Sequence, residues 1–375
     1  MELENELDGI TVLSLEQAVA APYCSMLLAE AGARVIKVER PEGDFARGYD
    51  DGAKGDSAIF AWLNRGKESI CLDFNNPGDI CLLKNILKET DVLLSNLTPG
   101  VLERRGLSFN SIKHINRRII NCSVSGYGSN SALSQRKAYD FLIQGEAGLC
   151  SVTGTEEEPV RVGISITDIS TGLTAFSAIL RAIIQRSRTG EGVNIDLSMF
   201  DVLSEWMNMP LISHRYLEGS PKRMAMNHSF VAPYGAFETR DRKSILLSIQ
   251  NEREWRIFCQ EVLKNDDLVN NPKFSNNIKR YKNKIELYEI LIKFFKTQSK
   301  DSLSKTLTKF KIAFSNLNSV ADLSEHQLLK TKEVLVNNVI ISVADIPLSN
   351  KVRELKVSPR LDQHHESIRK EFMNQ

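Results

Sequence analysis

The chain has 375 residues, 42% hydrophobic and 25% charged, with 48 Lys and Arg against 47 Asp and Glu. That length exceeds what one hydrophobic core usually organises, so two domains are expected. The even balance, a formal net charge of +1, excludes a bulk field aimed at nucleic acid or an anionic membrane. At the N-terminus Met1-Glu-Leu-Glu-Asn-Glu6 is acidic and has no apolar run, so no secretory signal is read there. Residues 9–14 have strand composition, residues 22–30 have helical spacing with Pro22 in a first turn, and residues 34–39 form a second strand. Strand, short helix and strand imply parallel pairing through a right-handed crossover. The pattern recurs in a strand at 69–73, a helix at 78–89 and strands at 91–95 and 118–124, which makes an open α/β domain.

Further along, Gly163-Ile-Ser-Ile-Thr-Asp168-Ile-Ser-Thr-Gly172 opens a long helix whose apolar run covers residues 173–184. Arg181 interrupts that run, which falls short of a membrane span. A turn at 188–192, a strand at 193–197 and a helix from Met199 follow, with a boundary near residues 218–221. Beyond it, residues 234–237, 244–249 and helices up to about residue 310 read as a smaller α+β unit, richer in Lys and Asn. From Leu328 short apolar strands such as 339–343 return. The domains expected are therefore 1–218, 219–325 and a C-terminal segment 326–375 that rejoins the large domain. The six cysteines (Cys24, Cys71, Cys81, Cys122, Cys150 and Cys259) form no CxxC or CxxH pair, so neither a zinc site nor a thioredoxin-like motif is indicated. A reducing cytoplasm is the expected location.

Asp168 is the candidate nucleophile. Helix N-terminal N–H groups and the macrodipole favour an ionised carboxylate at that position, and ionised carboxylates attack activated carbonyls to form anhydrides. The bland alternative is an ordinary N-cap, since Asp is among the commonest. Glu39 ends the second strand where a ribose-binding carboxylate would sit, but the first turn reads Glu16-Gln-Ala-Val-Ala-Ala-Pro22 and lacks GxGxxG. NAD binding is therefore disfavoured. Cations and amides recur in loops at the strand ends: Arg40, Asn64 to Lys67, Asn96 to Gly100, Arg104 to Gly106, and Arg136 to Asp140. In an open parallel sheet such loops gather at the carboxyl edge, where cations suit a phosphorylated ligand.

These motifs carry a resemblance to the class III CoA-transferases, the family of formyl-CoA:oxalate and carnitine CoA-transferases. The residues that carry it are Gly9-Ile-Thr-Val-Leu13 with Ala20-Ala-Pro22, Gly32-Ala-Arg-Val-Ile-Lys-Val-Glu-Arg40, Asn96-Leu-Thr-Pro-Gly-Val-Leu-Glu-Arg104 and Ser125-Gly-Tyr-Gly128. Asp168-Ile-Ser-Thr-Gly172, Arg188-Thr-Gly-Glu-Gly192 and Ala232-Pro-Tyr-Gly235 complete the set. The match runs from about residue 8 to 365.

The resemblance implies an α/β fold with an open parallel-sheet large domain and a smaller α+β domain, in an obligate, interlocked homodimer of ring-like subunits. It implies that Asp168 attacks an acyl-CoA thioester, forms a mixed anhydride, then an aspartyl-CoA thioester, and passes CoA to an acceptor carboxylate. No metal or redox cofactor is implied, and neither nucleic acid nor membrane is an expected partner. Arg40 and Arg104 would hold the CoA phosphates. Val19, Ala20, the 64–72 loop with Leu72, and Asn96, Leu97 and Thr98 would line the adenosine and pantetheine path, with Lys137 and Tyr139 beside the thioester.

Two departures bear on substrate. The glycine run that closes over a formyl group is replaced by Met226-Asn-His-Ser-Phe-Val-Ala-Pro-Tyr-Gly235, and Val19 stands where formyl enzymes carry Gln. The stretches 247–255 and 312–318 resemble members acting on C4–C5 dicarboxylates such as succinate, malate, mesaconate, itaconate or citramalate. Arg223, Asn227, His228 or Arg253 would then meet a distal carboxylate. The rival readings are an α-methylacyl-CoA racemase and a catalytically idle CoA-binding protein. Racemases resemble the chain at Tyr139-Asp140 but have His-Asp there, and a phenol near pKa 10 is a poor base at neutral pH.

Overall fold

The computed structural model describes residues 5–217, 219–348 and 355–373; residues 1–4 of the acidic N-terminus and Glu218 of the expected boundary lie outside the described residues. The chain divides into two compact units. The first comprises Met1–Leu149, Arg161–Leu211 and Lys330–Gln375, and the second comprises Cys150–Val160 and Ile212–Leu329.

The first unit is built on six strands: β1 (Thr11–Leu15), β2 (Arg34–Glu39), β3 (Glu68–Cys71), β4 (Val92–Ser95), β5 (Ile120–Ser125) and β6 (Asn194–Ser198). They form one sheet in the order β3-β2-β1-β4-β5-β6, and every pairing is parallel. Aliphatic residues dominate these strands because both faces are covered. Val12, Val35, Val92, Leu94 and Ile120 face one core, with Leu28, Ala175 and Ile179. Their neighbours Leu13, Ile36, Ile70 and Leu93 face the other, with Leu82, Ile86, Ile368 and Phe372.

Helices α1 (Ala20–Glu30), α2 (Ala58–Asn64), α3 (Pro77–Lys88), α4 (Phe109–Ile115), α5 (Asp140–Glu146), α6 (Ile166–Thr189) and α7 (Met199–Trp206) connect or flank the strands. Helix α6 extends well past the apolar run 173–184. Its 24 residues are long and apolar enough for a bilayer by length and composition alone. Its buried residues Ala175, Ile179 and Ala182 nevertheless belong to the sheet's core, and the nearly buried Arg186 near its end pairs with Asp91 at 2.9 Å. The sheet order reverses between β1 and β4, which opens a crevice beyond their carboxyl ends, where open α/β sheets bind ligands. Asn96 closes that point: its Oδ1 accepts the Gln17 N–H at 3.0 Å and its Nδ2 donates to the Gln17 carbonyl at 2.8 Å.

A smaller sheet in this unit joins β10 (Thr331–Val336), β11 (Val339–Ala344) and β12 (Lys356–Ser358) in the order β11-β10-β12. The second unit holds an antiparallel sheet of β7 (Tyr234–Glu238), β8 (Ser244–Ser248) and β9 (Phe314–Asn316) over a core that includes Phe237, Leu247, Trp255, Phe258 and Phe295. The chain thus has the expected mixed α/β architecture, with a large parallel sheet and a smaller antiparallel one.

Candidate active site

Asp168 sits in the first turn of α6, but it is not the cap. The N-cap position is Ser165, whose side chain makes no capping bond. The cap comes from a distant residue: Asp140, at the start of α5, accepts the N–H of Thr167 at 2.7 Å and of Asp168 at 3.3 Å through Oδ1. Among the first-turn donors, the Ile166 N–H goes to the Ile164 carbonyl at 2.8 Å. The first-turn N–H groups are thus taken up by Asp140 and by the Ile164 carbonyl rather than by the Asp168 carboxylate. Among the described residues, the Asp168 carboxylate accepts no hydrogen bond. Burial, with the Asp140 charge adding to it, pushes its pKa up to about 7. Burial thus works against the ionised form that the helix start by itself favours.

Two glycines of the sequence motifs bring the parts together. A Cβ at Gly172 would lie 2.5 Å from the Ala20 carbonyl oxygen, so only glycine lets α6 approach the first turn of α1. A Cβ at Gly126 would lie 2.2 Å from that of Ala138, so the segment leading to Tyr139 and Asp140 packs directly on the end of β5.

The result is a cleft of about 650 Å³ lined by Asp168 together with Val19, Ala20, Asn96 and Tyr139, four of the expected residues. Gln17, Tyr49, Trp62, Arg161 and Met199 also line it and were not singled out from the sequence. Burial, with Asp44, Asp168 and Tyr139 adding, pushes the Tyr49 phenol up to about 12, so it stays a proton donor. Its place in the site had no local signature, since Tyr49 precedes Asp168 by more than a hundred positions.

A second cavity of about 390 Å³ lies at the ends of β1, β2 and β3, and Gln17 lines both. Arg40, Leu72 and Leu97 line this second cavity. Thr98 lines a third, of about 360 Å³, which Leu97 also borders. Arg104 is exposed in the turn Glu103–Arg105, with its guanidinium folded toward Gly100, and Lys137 is exposed before α5.

The 64–72 loop departs from expectation. Arg65 is 1% exposed and pairs with Glu30 at 2.6 Å; Lys67 is 4% exposed and pairs with Glu16 at 2.6 Å. Neither cation is available to a phosphate. Lys67 also donates to the Asn64 side chain and the Pro22 carbonyl, while the buried Lys37 donates to Asp44 at 2.9 Å. Burial pulls Lys67 down to about 8 against the attraction of Glu16; Glu16, held up by burial, is drawn down to about 2 by Lys67 and Lys37. The Asp44 Oδ1 accepts the N–H of Ala18, which holds φ at +63°. This buried ion network thus fixes the Gln17-Ala18-Val19 turn that forms the floor of the cleft.

The four substrate candidates, Arg223, Asn227, His228 and Arg253, fall in the second unit. Arg223 donates to the carbonyls of Thr155 and Glu156, both at 2.7 Å, the His228 ring packs 5.1 Å from that of Tyr234, and Asn227 lies against Gly235. Among the described residues, no cluster of three or more His, Cys, Asp or Glu side chains is arranged to hold a metal.

A nucleophile-type carboxylate in a largely apolar cleft, beside a cavity bearing a cation, is an arrangement suited to acyl transfer from a thioester with an anionic handle. The model of CoA-transferase family III matches residues 7–370. The chain is 33% identical to the mouse (Mus musculus) succinyl-CoA:glutarate CoA-transferase over 98% of this chain and 86% of that protein. It is 31% identical to the acetyl-CoA:oxalate CoA-transferase of Acetobacter aceti, over 97% and 95% respectively. Among solved structures, a CAIB/BAIF family protein from Brucella suis superposes with a TM-score of 0.81 at 31% identity, covering 98% of this chain and 99% of that one. The chain belongs to CoA-transferase family III and is an acyl-CoA:carboxylate CoA-transferase.

Proposed function

We propose that the protein moves CoA between dicarboxylic acids of four or five carbons, with succinyl-CoA as donor, through covalent intermediates on Asp168. The Asp168 carboxylate attacks the thioester carbonyl; the C–S bond breaks, leaving a mixed anhydride and CoA thiolate. The thiolate attacks the aspartyl carbonyl, giving an aspartyl-CoA thioester and releasing the donor acid. The acceptor carboxylate attacks that thioester, and the returning thiolate takes the acceptor acyl group and frees Asp168. The cycle draws only on the thioester and the acid.

The observation that carries this reading is the Asp168 carboxylate, free of hydrogen bonds among the described residues, facing a cleft of about 650 Å³. Arg40 and the neighbouring cavity would take the nucleotide end of CoA, with Gln17 at the junction. The named relatives use different acceptors, glutarate and oxalate, so the acceptor class is tested directly. Intact-mass spectrometry after incubation with succinyl-CoA and a borohydride quench is expected to find an adduct, or its reduced product, on the wild type and none on Asp168→Ala. Glutarate, mesaconate and oxalate are then compared as acceptors. Absence of an adduct with every thioester tried, despite CoA binding, defeats the mechanism; preference for oxalate defeats the dicarboxylate assignment.

Family membership also supports an interlocked homodimer. The first unit exposes Phe141, Leu142, Leu173, Ile184, Trp206 and Met209, apolar area of the kind an obligate interface covers. Sedimentation equilibrium is expected to give twice the 42.2 kDa chain mass at all accessible concentrations.

A further inference from the structure

We propose that Arg161 is the substrate-selecting residue of the Asp168 cleft, its guanidinium receiving the distal carboxylate of a dicarboxylic acyl group. The inference rests on the transferase reading above.

The charge inventory of the cleft comes first. Among the described residues that line it, the charged ones are Asp140, Asp168 and Arg161. An acyl group with a free carboxylate enters a space already holding two carboxyl groups, with aromatic and aliphatic walls including Trp62 and Met199. Without a cation it would be repelled. Arg161 is the one cation there.

Its placement is built by the same bonds that hold Asp168. The Val162 N–H donates to Gln144 Oε1 at 2.9 Å, and Gln144 Nε2 donates to Asp140 Oδ2 at 2.7 Å. The other oxygen of Asp140 takes the Thr167 and Asp168 N–H groups. Gln144 and Asp140 are both buried. A single frame therefore pins the backbone next to Arg161 at one end and next to Asp168 at the other, while the Arg161 side chain itself is exposed.

Arg161 is also available. Its one described hydrogen bond runs from Nη1 to the Val162 carbonyl at 3.1 Å, and it has no ion pair among the described residues. Arg34, Arg47, Arg65, Arg186 and Arg280, by contrast, are committed to carboxylates. The remaining guanidinium N–H groups match a carboxylate bidentately, a geometry that lysine does not reproduce.

The test compares succinyl-CoA with butyryl-CoA, which has the same number of acyl carbons and no distal charge. Binding is measured by titration calorimetry in the full-length Asp168→Asn protein, where acyl transfer cannot obscure affinity, with Arg161 intact or replaced by Gln or Lys. Arg161→Gln is expected to weaken succinyl-CoA roughly ten- to a hundredfold while butyryl-CoA changes less than twofold, and Arg161→Lys to recover part of the loss. Equal weakening of both ligands indicates a merely structural residue and overturns the inference, as does no change in either. Because the measurement involves no turnover, it stands apart from the adduct experiment: loss of the adduct with the affinity ratio intact rejects the Asp168 chemistry but not the Arg161 assignment. Intact adduct formation with no succinyl preference does the reverse.

Discussion

Asp140 both holds and opposes Asp168: its Oδ1 accepts the N–H of Asp168 at 3.3 Å and of Thr167 at 2.7 Å, and its charge adds to burial in raising the Asp168 pKa to about 7. A nucleophile must be ionised, so the carboxylate acts only as pH rises through that value. In the proposed mechanism the rate of aspartyl adduct formation therefore falls on the acid side with an apparent pKa near 7. Asp140→Asn keeps an acceptor for the helix N–H groups and removes the charge, so the acid limb is expected to move down by about one pH unit. Asp140→Ala removes the acceptor too and is expected to lower the rate at every pH. An acid limb unmoved in Asp140→Asn would mean that desolvation alone sets the value.

The same shift is a stability statement. Asp168 ordinarily titrates near 3.8 and in the folded chain near 7. Between these values the folded state carries the extra proton, so stability falls as pH rises through the window and the penalty is full above it. The difference corresponds to no more than about 4 kcal/mol. Asp168→Asn is therefore expected to unfold at a higher temperature than the wild type at pH 8, with the gap closing toward pH 4. Calorimetric scans at the two pH values check it; a gap independent of pH contradicts it.

How much of this was legible in sequence depended on range. The parallel strands were plain because a strand buried on both faces is mostly aliphatic, as in Val12-Leu-Ser-Leu15 and Val92-Leu-Leu94. Asp168 stood out through its motif and the long apolar helix behind it. The cap was illegible because Asp140 and the N–H groups that donate to it are 27 and 28 positions apart. Lys67 and Arg65 looked like phosphate cations for the same reason: Glu16 and Glu30, which neutralise them, lie 51 and 35 positions away. Arg161 carried no signal beyond being an arginine near Asp168. Its meaning comes from which other charges line the cleft, and that is a property of the fold.

The buried network beneath the cleft floor makes a sharp prediction. Glu16 is the shared partner of Lys67 and, more loosely at 3.6 Å, of Lys37, and all three side chains are fully buried. Glu16→Ala leaves two buried ammonium groups with reduced compensation, which costs about 3–5 kcal/mol. Urea midpoints are expected to drop accordingly. A double replacement, Glu16→Gln with Lys67→Met, removes one charge of each sign and is expected to recover most of the loss. If the double variant is no better than Glu16→Ala, the pair is not coupled as the distances indicate.

Gly172 tests whether the contact between α1 and α6 sets the site. A methyl there meets the backbone oxygen of Ala20 at 2.5 Å and the Tyr23 side chain at 3.1 Å. Backbone cannot swing aside as a flexible side chain can, so α1 must shift, carrying Val19 and Ala20 away from Asp168. Gly172→Ala is expected to destabilise the protein by about 1–3 kcal/mol and to lower the adduct rate more than tenfold even where the fold is fully populated. Gly145, within α5, has nothing within 4 Å of an added Cβ, so Gly145→Ala is the matched control. It should stabilise by up to about 1 kcal/mol through helix propensity and leave the adduct rate unchanged. A Gly172→Ala variant that keeps its rate would show that the cleft tolerates movement of α1, and the close packing would then serve stability alone.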